Sequence, residues 1–155
     1  MKSKPPIHMI AYTSDLVWSA DKAYSIDDDV TPLLRNIQQQ AITRNTALDI
    51  TGLLMFWDGS FFQVLEGEEE AIRNVFTSIE KDPRHCHVRC LLDEDIPERI
   101  FSQWRMRCLN LNAQCSFDKS ELIEMMQAYR NTFKPTRKSL MRVFHHTLPF
   151  NDLSI

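Results

Sequence analysis

The stretch Ile50-Thr51-Gly52-Leu53-Leu54-Met55-Phe56-Trp57-Asp58-Gly59-Ser60-Phe61-Phe62-Gln63-Val64-Leu65-Glu66-Gly67 decides the fold. At its centre, Asp58-Gly59 is a pair that tolerates the backbone of a two-residue hairpin turn. Ile50 to Phe56 is a nearly continuous apolar run, which predicts a strand covered on both faces. Ser60 to Glu66 predicts the returning strand, and Gly67 ends it. That second strand is apolar at both parities, so both of its faces need cover.

Working outward, Ile7 to Ser14 is apolar and β-branched enough for a first strand. Asp15 to Val30 reads as a loop ending in Asp27-Asp28-Asp29. Thr31-Pro32 then reads as an N-cap followed by proline at the first helical position. Leu33, Leu34, Ile37, Ala41 and Ile42 follow at helical spacing, giving a first helix to about Asn45. On the other side, Glu68, Glu69 and Glu70 open a second helix, where acid complements the helix dipole. Ala71, Ile72, Val75, Phe76 and Ile79 form its buried stripe, and Asp82-Pro83 ends it. Val88 to Leu92 predicts a fourth strand and Trp104 to Leu109 a fifth.

The order is β-α-β-β-α-β-β, a ferredoxin-like α+β plan with two helices on one face of a mixed five-stranded sheet. Asp118 to Thr132 carries Leu122, Ile123, Met126 and Tyr129 at helical spacing. Pro135 starts a further helix with Leu140, Met141 and Phe144. These two C-terminal helices are expected either on the far face or reaching out to a partner. The chain divides accordingly into a ligand-binding domain over 1–110 and a C-terminal helical extension over 111–155, serving output or oligomerisation.

Composition narrows the function. The 155 residues are 43% hydrophobic and 25% charged, with a net charge of −3, as in an ordinary globule. That balance argues against phosphate-driven nucleic-acid binding. The basic residues are scattered, and Lys134, Arg137, Lys138 and Arg142 read as a solvated or partner-facing helix face. No apolar window long enough to span a membrane occurs, and Met1 to Pro6 lacks the apolar core of a signal peptide. Cys86, Cys90, Cys108 and Cys115 crowd into one stretch, which suits reduced thiols in the cytoplasm better than a disulfide framework. His85-Cys86-His87 with Cys90 matches no standard zinc spacing, so no metal is expected. No nucleophile–base pair or dinucleotide fingerprint is present, so no enzyme is expected.

The polar residues inside apolar stretches carry the chemistry. Gln63 shares its strand face with Phe61 and Leu65. A buried carboxamide has four hydrogen-bonding capacities, and leaving one unmet costs ~1–3 kcal/mol. Tyr12 on the first strand, which this plan sets beside the third, is a candidate partner. Asn45 near the end of the first helix could project an amide into the same space. Taken singly, Asn45 is an ordinary helix C-terminal residue and Tyr12 an ordinary core aromatic. Converging on an apolar slot, the three suit a planar heteroaromatic ligand.

These residues resemble the BLUF family of flavin-using blue-light sensors. The resemblance is carried by Tyr12-Thr13-Ser14, by Asn45 followed by Ile50-Thr51-Gly52-Leu53-Leu54, and by Asp58-Gly59-Ser60-Phe61-Phe62-Gln63-Val64-Leu65-Glu66-Gly67. Asp82-Pro83-Arg84-His85 and Phe101-Ser102-Gln103-Trp104-Arg105-Met106 complete it, over roughly Ile7 to Leu109. It implies a flavin between the two helices, with Ile37 and Ile79 on its faces and Asn45 at its pyrimidine edge. Gln63 then bridges Tyr12 and the flavin N5/C4=O edge, and Arg84, Asp82 and His85 address the C2=O edge or its surroundings. Trp104 and Met106 lie near Gln63 and report its state. The implied cofactor is FAD, with FMN or riboflavin tolerated.

The implied activity is light-driven transfer of an electron and proton from Tyr12, which switches the Gln63 hydrogen bond. Output then passes through protein contacts, to an unidentified regulatory partner or through a homo-oligomer. The competing expectation is a light-insensitive interaction or RNA-binding module on the same fold. Three departures from the family stand out. The segment from Ser14 to Thr31 is long and could reshape the mouth of the slot, Ala41 replaces a common serine, and Arg44 reads as solvated.

Overall fold

The computed structural model describes residues 6–17, 29–113, 116–131 and 134–148. In chain order the elements are β1 (Ile7–Leu16), α1 (Thr31–Leu48), β2 (Thr51–Trp57), β3 (Ser60–Gly67), α2 (Glu69–Glu80), β4 (His85–Ile96), β5 (Arg107–Asn110), α3 (Ser120–Arg130) and α4 (Arg137–Thr147). The five strands form one sheet in the order β4-β1-β3-β2-β5. β5 runs parallel to β2 and the remaining pairs are antiparallel. This is the ferredoxin-like plan that the element order predicts.

The hairpin behaves as its residues dictate. Asp58 and Gly59 take φ of 48° and 79°, the doubly positive backbone of a tight turn, and Trp57 pairs with Ser60 across it. Every residue of β3 is buried. Its odd positions, Phe61 and Leu65, join Ile10, Leu54 and Phe56 under Leu33, Leu34 and Ala41 of α1 and Ile72 and Val75 of α2. Its even positions, Phe62 and Val64, join Met9, Ala11, Leu53 and Met55 on the opposite face.

That opposite face is where α3 and α4 lie. Leu122, Met126 and Tyr129 of α3 and Leu140 and Phe144 of α4 belong to its core. The Phe62 ring centroid is 5.6 Å from that of Tyr129 and 6.2 Å from that of Phe144. An RNA-recognition sheet needs exposed aromatics on this surface. Here the surface is packed under helices, which removes the physical basis of the RNA-binding alternative.

Several boundaries differ from expectation, each for a local reason. β4 extends from His85 to Ile96 instead of Val88 to Leu92, because pairing with β1 continues along its whole length across two register shifts. β5 begins at Arg107, so Trp104 and Met106 precede the strand. Thr31 is the first residue of α1 and Val30 the N-cap, with Asp29 Oδ1 accepting from the Thr31 N–H at 3.0 Å. Pro135 stands ahead of α4, whose N-cap is Thr136 in a reciprocal capping box with Ser139. Most of the loop expected between the first strand and first helix, residues 18–28, lies outside the described residues, as does Thr132.

One polar cluster ties β1, β4 and α2 together. His8 is buried, with Nδ1 2.7 Å from Asp95 Oδ1 and Nε2 2.5 Å from Asp93 Oδ1. Arg73 of α2 spans Glu69 and Asp93. Two carboxylate acceptors demand two N–H donors, which only the imidazolium offers. Burial works against that charge, but Asp95 and Asp93 outweigh it, with Asp93 and Glu69 adding charge attraction, and the His8 pKa is raised. The unfolded value is about 6.5, so the stabilisation is complete below about pH 6.5 and is lost as pH rises through the raised folded value. The thermal midpoint should therefore fall on going from about pH 6 to about pH 8.5, and fall less in His8→Gln. Equal declines in the two proteins would show that the imidazolium is not held by this cluster.

Candidate functional site

Between α1, α2 and the sheet lies a cleft with about 520 Å³ of empty space, its open mouth included. Ile37, Gln40, Ala41 and Arg44 line it from α1, and Ile79 from α2. Tyr12, Leu54, Phe61 and Gln63 line it from the sheet, with His85 at the start of β4, and Asp82 and Arg84 from the turn after α2.

Register explains the central pair. β1 and β3 are antiparallel neighbours with Tyr12 directly opposite Gln63. Side chains on one face of such a pair lie close enough to bond. The Tyr12 hydroxyl donates to Gln63 Oε1, and Gln63 Nε2 points at Met106 Sδ, 3.6 Å away. Both Tyr12 and Gln63 are 3% exposed. Burial pushes the Tyr12 phenol well above its ordinary pKa, so it keeps its proton. A neutral phenol bonded to a buried amide can pass on a proton without first having lost it to solvent.

The turn after α2 closes one side of the cleft. Arg84 Nε donates to Asp82 Oδ1 at 3.0 Å, and its Nη groups reach Asn36 and Gln40 of α1, each at 3.2 Å. Burial lifts the Asp82 carboxyl, but the Arg84 guanidinium and backbone N–H outweigh it and leave the pKa lowered. His85 Nε2 lies 2.5 Å from the Ile79 carbonyl and Nδ1 2.8 Å from Ser14 Oγ. A carbonyl oxygen only accepts, so Nε2 donates to it. Both ring nitrogens of His85 are thus engaged within the cleft wall. Cys90 packs against the cleft-side core, and its thiol donates to the Leu92 carbonyl at 3.4 Å.

Of the residues named from sequence, Tyr12, Ile37, Gln63, Ile79, Asp82, Arg84 and His85 all line the cleft, and Met106 touches Gln63. Asn45 is completely buried just behind the wall. Its Nδ2 donates to the Arg105 carbonyl at 2.6 Å and its Oδ1 accepts from Arg44 Nε at 3.1 Å. Trp104 is not brought to Gln63. Its indole packs on the opposite face, stacked on Phe101 at 5.7 Å with the Arg107 guanidinium 4.5 Å above it. The chain changes faces between Trp104 and Met106.

Arg44 corrects an expectation, since it is half-buried in the cleft wall and not solvated. Its Nη2 is buried without a hydrogen-bond partner. Desolvation lowers its pKa, with Tyr12 as the acidic group acting on it. A half-buried cation with an unpartnered buried nitrogen, in one cleft with the neutral Tyr12–Gln63 pair, Ile37 and Ile79, fits a planar, acceptor-rich ring such as flavin. Arg44 and the wall residues Gln40, Leu54 and Phe61 do not stand out as cleft residues from sequence. Helical spacing is the available signal, because residues 37, 40, 41 and 44 fall on one face of α1.

Residues 7–107 match the family described as BLUF, sensors of blue-light using FAD. This chain belongs to the BLUF family, and its cofactor is a flavin. It is 34% identical over 100 residues to the blue light- and temperature-regulated antirepressor BluF of Escherichia coli (strain K12), covering 60% of this chain and 25% of that protein. Among solved structures it superposes on BlrB, a BLUF protein in its dark state, with a TM-score of 0.72 and 22% identity over 92% of this chain and 97% of that one. BlrP1 of Klebsiella pneumoniae, with FMN and cyclic diGMP, is 31% identical at a TM-score of 0.64, over 89% of this chain and 34% of that one. The chain thus spans about a quarter of the antirepressor's length. No helix among the described residues is long and apolar enough to cross a membrane.

Proposed function

We propose that this chain is a non-enzymatic blue-light switch in which Tyr12 and Gln63 carry out the photochemistry. Bound flavin supplies blue-light absorption and an electron-accepting excited state. Tyr12 donates an electron, and its hydroxyl proton moves along the bond to Gln63. When electron and proton return, the Gln63 amide has exchanged the places of its oxygen and nitrogen. The amide then presents a donor where it presented an acceptor, and its contact with Met106 Sδ changes with it. Ile37 and Ile79 would flank the ring, Arg84 and Asp82 would close the mouth, and Arg44, held by Asn45 behind it, would set the polar edge. Trp104 lies on the other face of the sheet.

The observation that carries this reading is the buried Tyr12–Gln63 hydrogen bond in the cleft wall. Output is non-covalent. It passes from the segment that holds Met106 to α3 and α4, and from there to a second copy or a regulatory protein in the cytoplasm. The antirepressor relative is itself named as a regulator. The test is direct. Purified protein loaded with FAD should be yellow, and blue light should move its absorption bands to longer wavelength, with full return in the dark. Bands that bleach irreversibly, or do not move, would refute the switch.

A further inference from the structure

Glu66 is a buried charged group that the cleft does not use. It lies three residues beyond Gln63 on β3, on the opposite face, with 0% exposure. Its Oε1 accepts from Thr51 Oγ1 at 2.9 Å and from the Phe101 N–H at 3.0 Å, and its Oε2 from the Ile100 N–H at 2.5 Å. Arg99 Nη1 bonds Thr51 Oγ1 and the Glu66 carbonyl, at 2.9 and 3.0 Å. Burial raises the Glu66 pKa, against the pull of the two N–H donors, Thr51 and Arg99. A carboxylate with this many donors is a stiff anchor, since charge-assisted bonds are roughly twice as strong as neutral ones.

What it anchors is the connection from β4 to β5, residues 97–106, which lies outside any strand or helix. Ile100, Phe101 and Trp104 pack in the far core, and Met106 packs in the cleft-side core. At the crossing, the Gly52 N–H donates to the Trp104 carbonyl at 2.9 Å. A Cβ on Gly52 would sit 2.1 Å from the Val64 carbonyl oxygen and 3.3 Å from Met106 Cε, so only glycine fits there. The cleft end is held by Asn45 on the Arg105 carbonyl and by Gln38 on the Met106 carbonyl at 3.1 Å. At the far end, Phe101 meets Phe144 of α4 edge-on at 5.3 Å.

We propose that Glu66 is a positioning residue that fixes the Ile100–Phe101 backbone, so that a change in the Gln63–Met106 contact reaches Phe144 and α4. Without it, the connection absorbs the change as slack. The proposal rests on the reading of Gln63 as the light-switched group.

The test compares wild type and Glu66→Gln, both loaded with FAD, by hydrogen exchange in dark and light and by absorption. Wild type should show a light-dependent change in exchange at residues 137–147. Glu66→Gln should keep the dark spectrum and the reversible red shift while losing that change by on the order of fivefold or more. A merely structural role would speed dark exchange at Ile100 and Phe101 and leave the light-dependent change at α4 intact, which overturns the proposal. A red shift in wild type with no change at α4 overturns it too, while sparing the reading of Gln63. Absence of the red shift in wild type overturns both. If Glu66→Gln does not fold, Thr51→Val removes one donor to Glu66, together with an acceptor of Arg99, and should reduce the α4 change without altering the red shift. An undiminished change in that variant refutes the proposal.

Discussion

Gln63→Leu should yield a protein that still binds flavin and whose absorption bands stay fixed under blue light. Leucine fills most of the same volume between Phe61 and Leu65, so the cleft-side core keeps its shape. What disappears is the acceptor for the Tyr12 hydroxyl and the donor facing Met106 Sδ. The stranded phenol costs about 1–3 kcal/mol, which a domain of this size survives. No group at that position can then exchange a donor for an acceptor. Tyr12→Phe should fail in the same assay for the complementary reason. Its ring still packs on Phe76, 5.5 Å between centroids, but the electron and proton source is gone. Light-minus-dark absorption settles both, and a full-sized red shift in either variant removes that residue from the proposed mechanism.

Much of this site is legible because strands have period two. Gln63 stands out as an amide on a face otherwise made of Phe61 and Leu65. The strand order then places Tyr12 beside it, and the register puts the two directly opposite. Ile37 and Ile79 follow from helical spacing and the resemblance. Asn45 is legible as a buried amide but not as one whose oxygen and nitrogen are taken by Arg44 and Arg105. Arg44 is not legible, because a charged residue one helical turn after a small one looks solvated. Its burial depends on where α1 sits over the sheet, which no local pattern encodes.

The connection from β4 to β5 is the least legible part. Trp104 and Met106 are two residues apart, and in a strand they would share a face. They do not, because the strand starts only at Arg107 and the irregular backbone before it passes from one core to the other. The glycine of the Ile50 to Leu54 block looks like a motif position without a stated reason. Its reason is the close approach of the Val64 carbonyl, a contact between neighbouring strands that becomes visible only when they are in register.

Phe144→Ala should destabilise the fold more than Gln63→Leu, Tyr12→Phe or Glu66→Gln, and it bears on how the chain is divided. Phe144 is fully buried, meeting Phe101 at 5.3 Å and Phe62 at 6.2 Å. Truncating such a ring typically costs about 3–5 kcal/mol. For a chain of this length each kcal/mol lowers the midpoint by roughly 2–4 °C, so the expected fall is large. Its form matters more than its size. If residues 111–155 were an appendage to a self-sufficient unit over 1–110, the variant would release α4 in an early, separate transition. The far core argues otherwise, because Phe62, Val64, Met9 and Met55 of the sheet are covered by the same cluster that contains Phe144. Stripping α3 and α4 would put that apolar surface in water, at roughly 25 cal/mol for each Å² exposed. Calorimetry on the FAD-loaded protein should therefore show one transition moved down in temperature, with flavin release following the same curve. Two resolved transitions, the first leaving flavin bound, would mean that the sheet holds together without its helical cover.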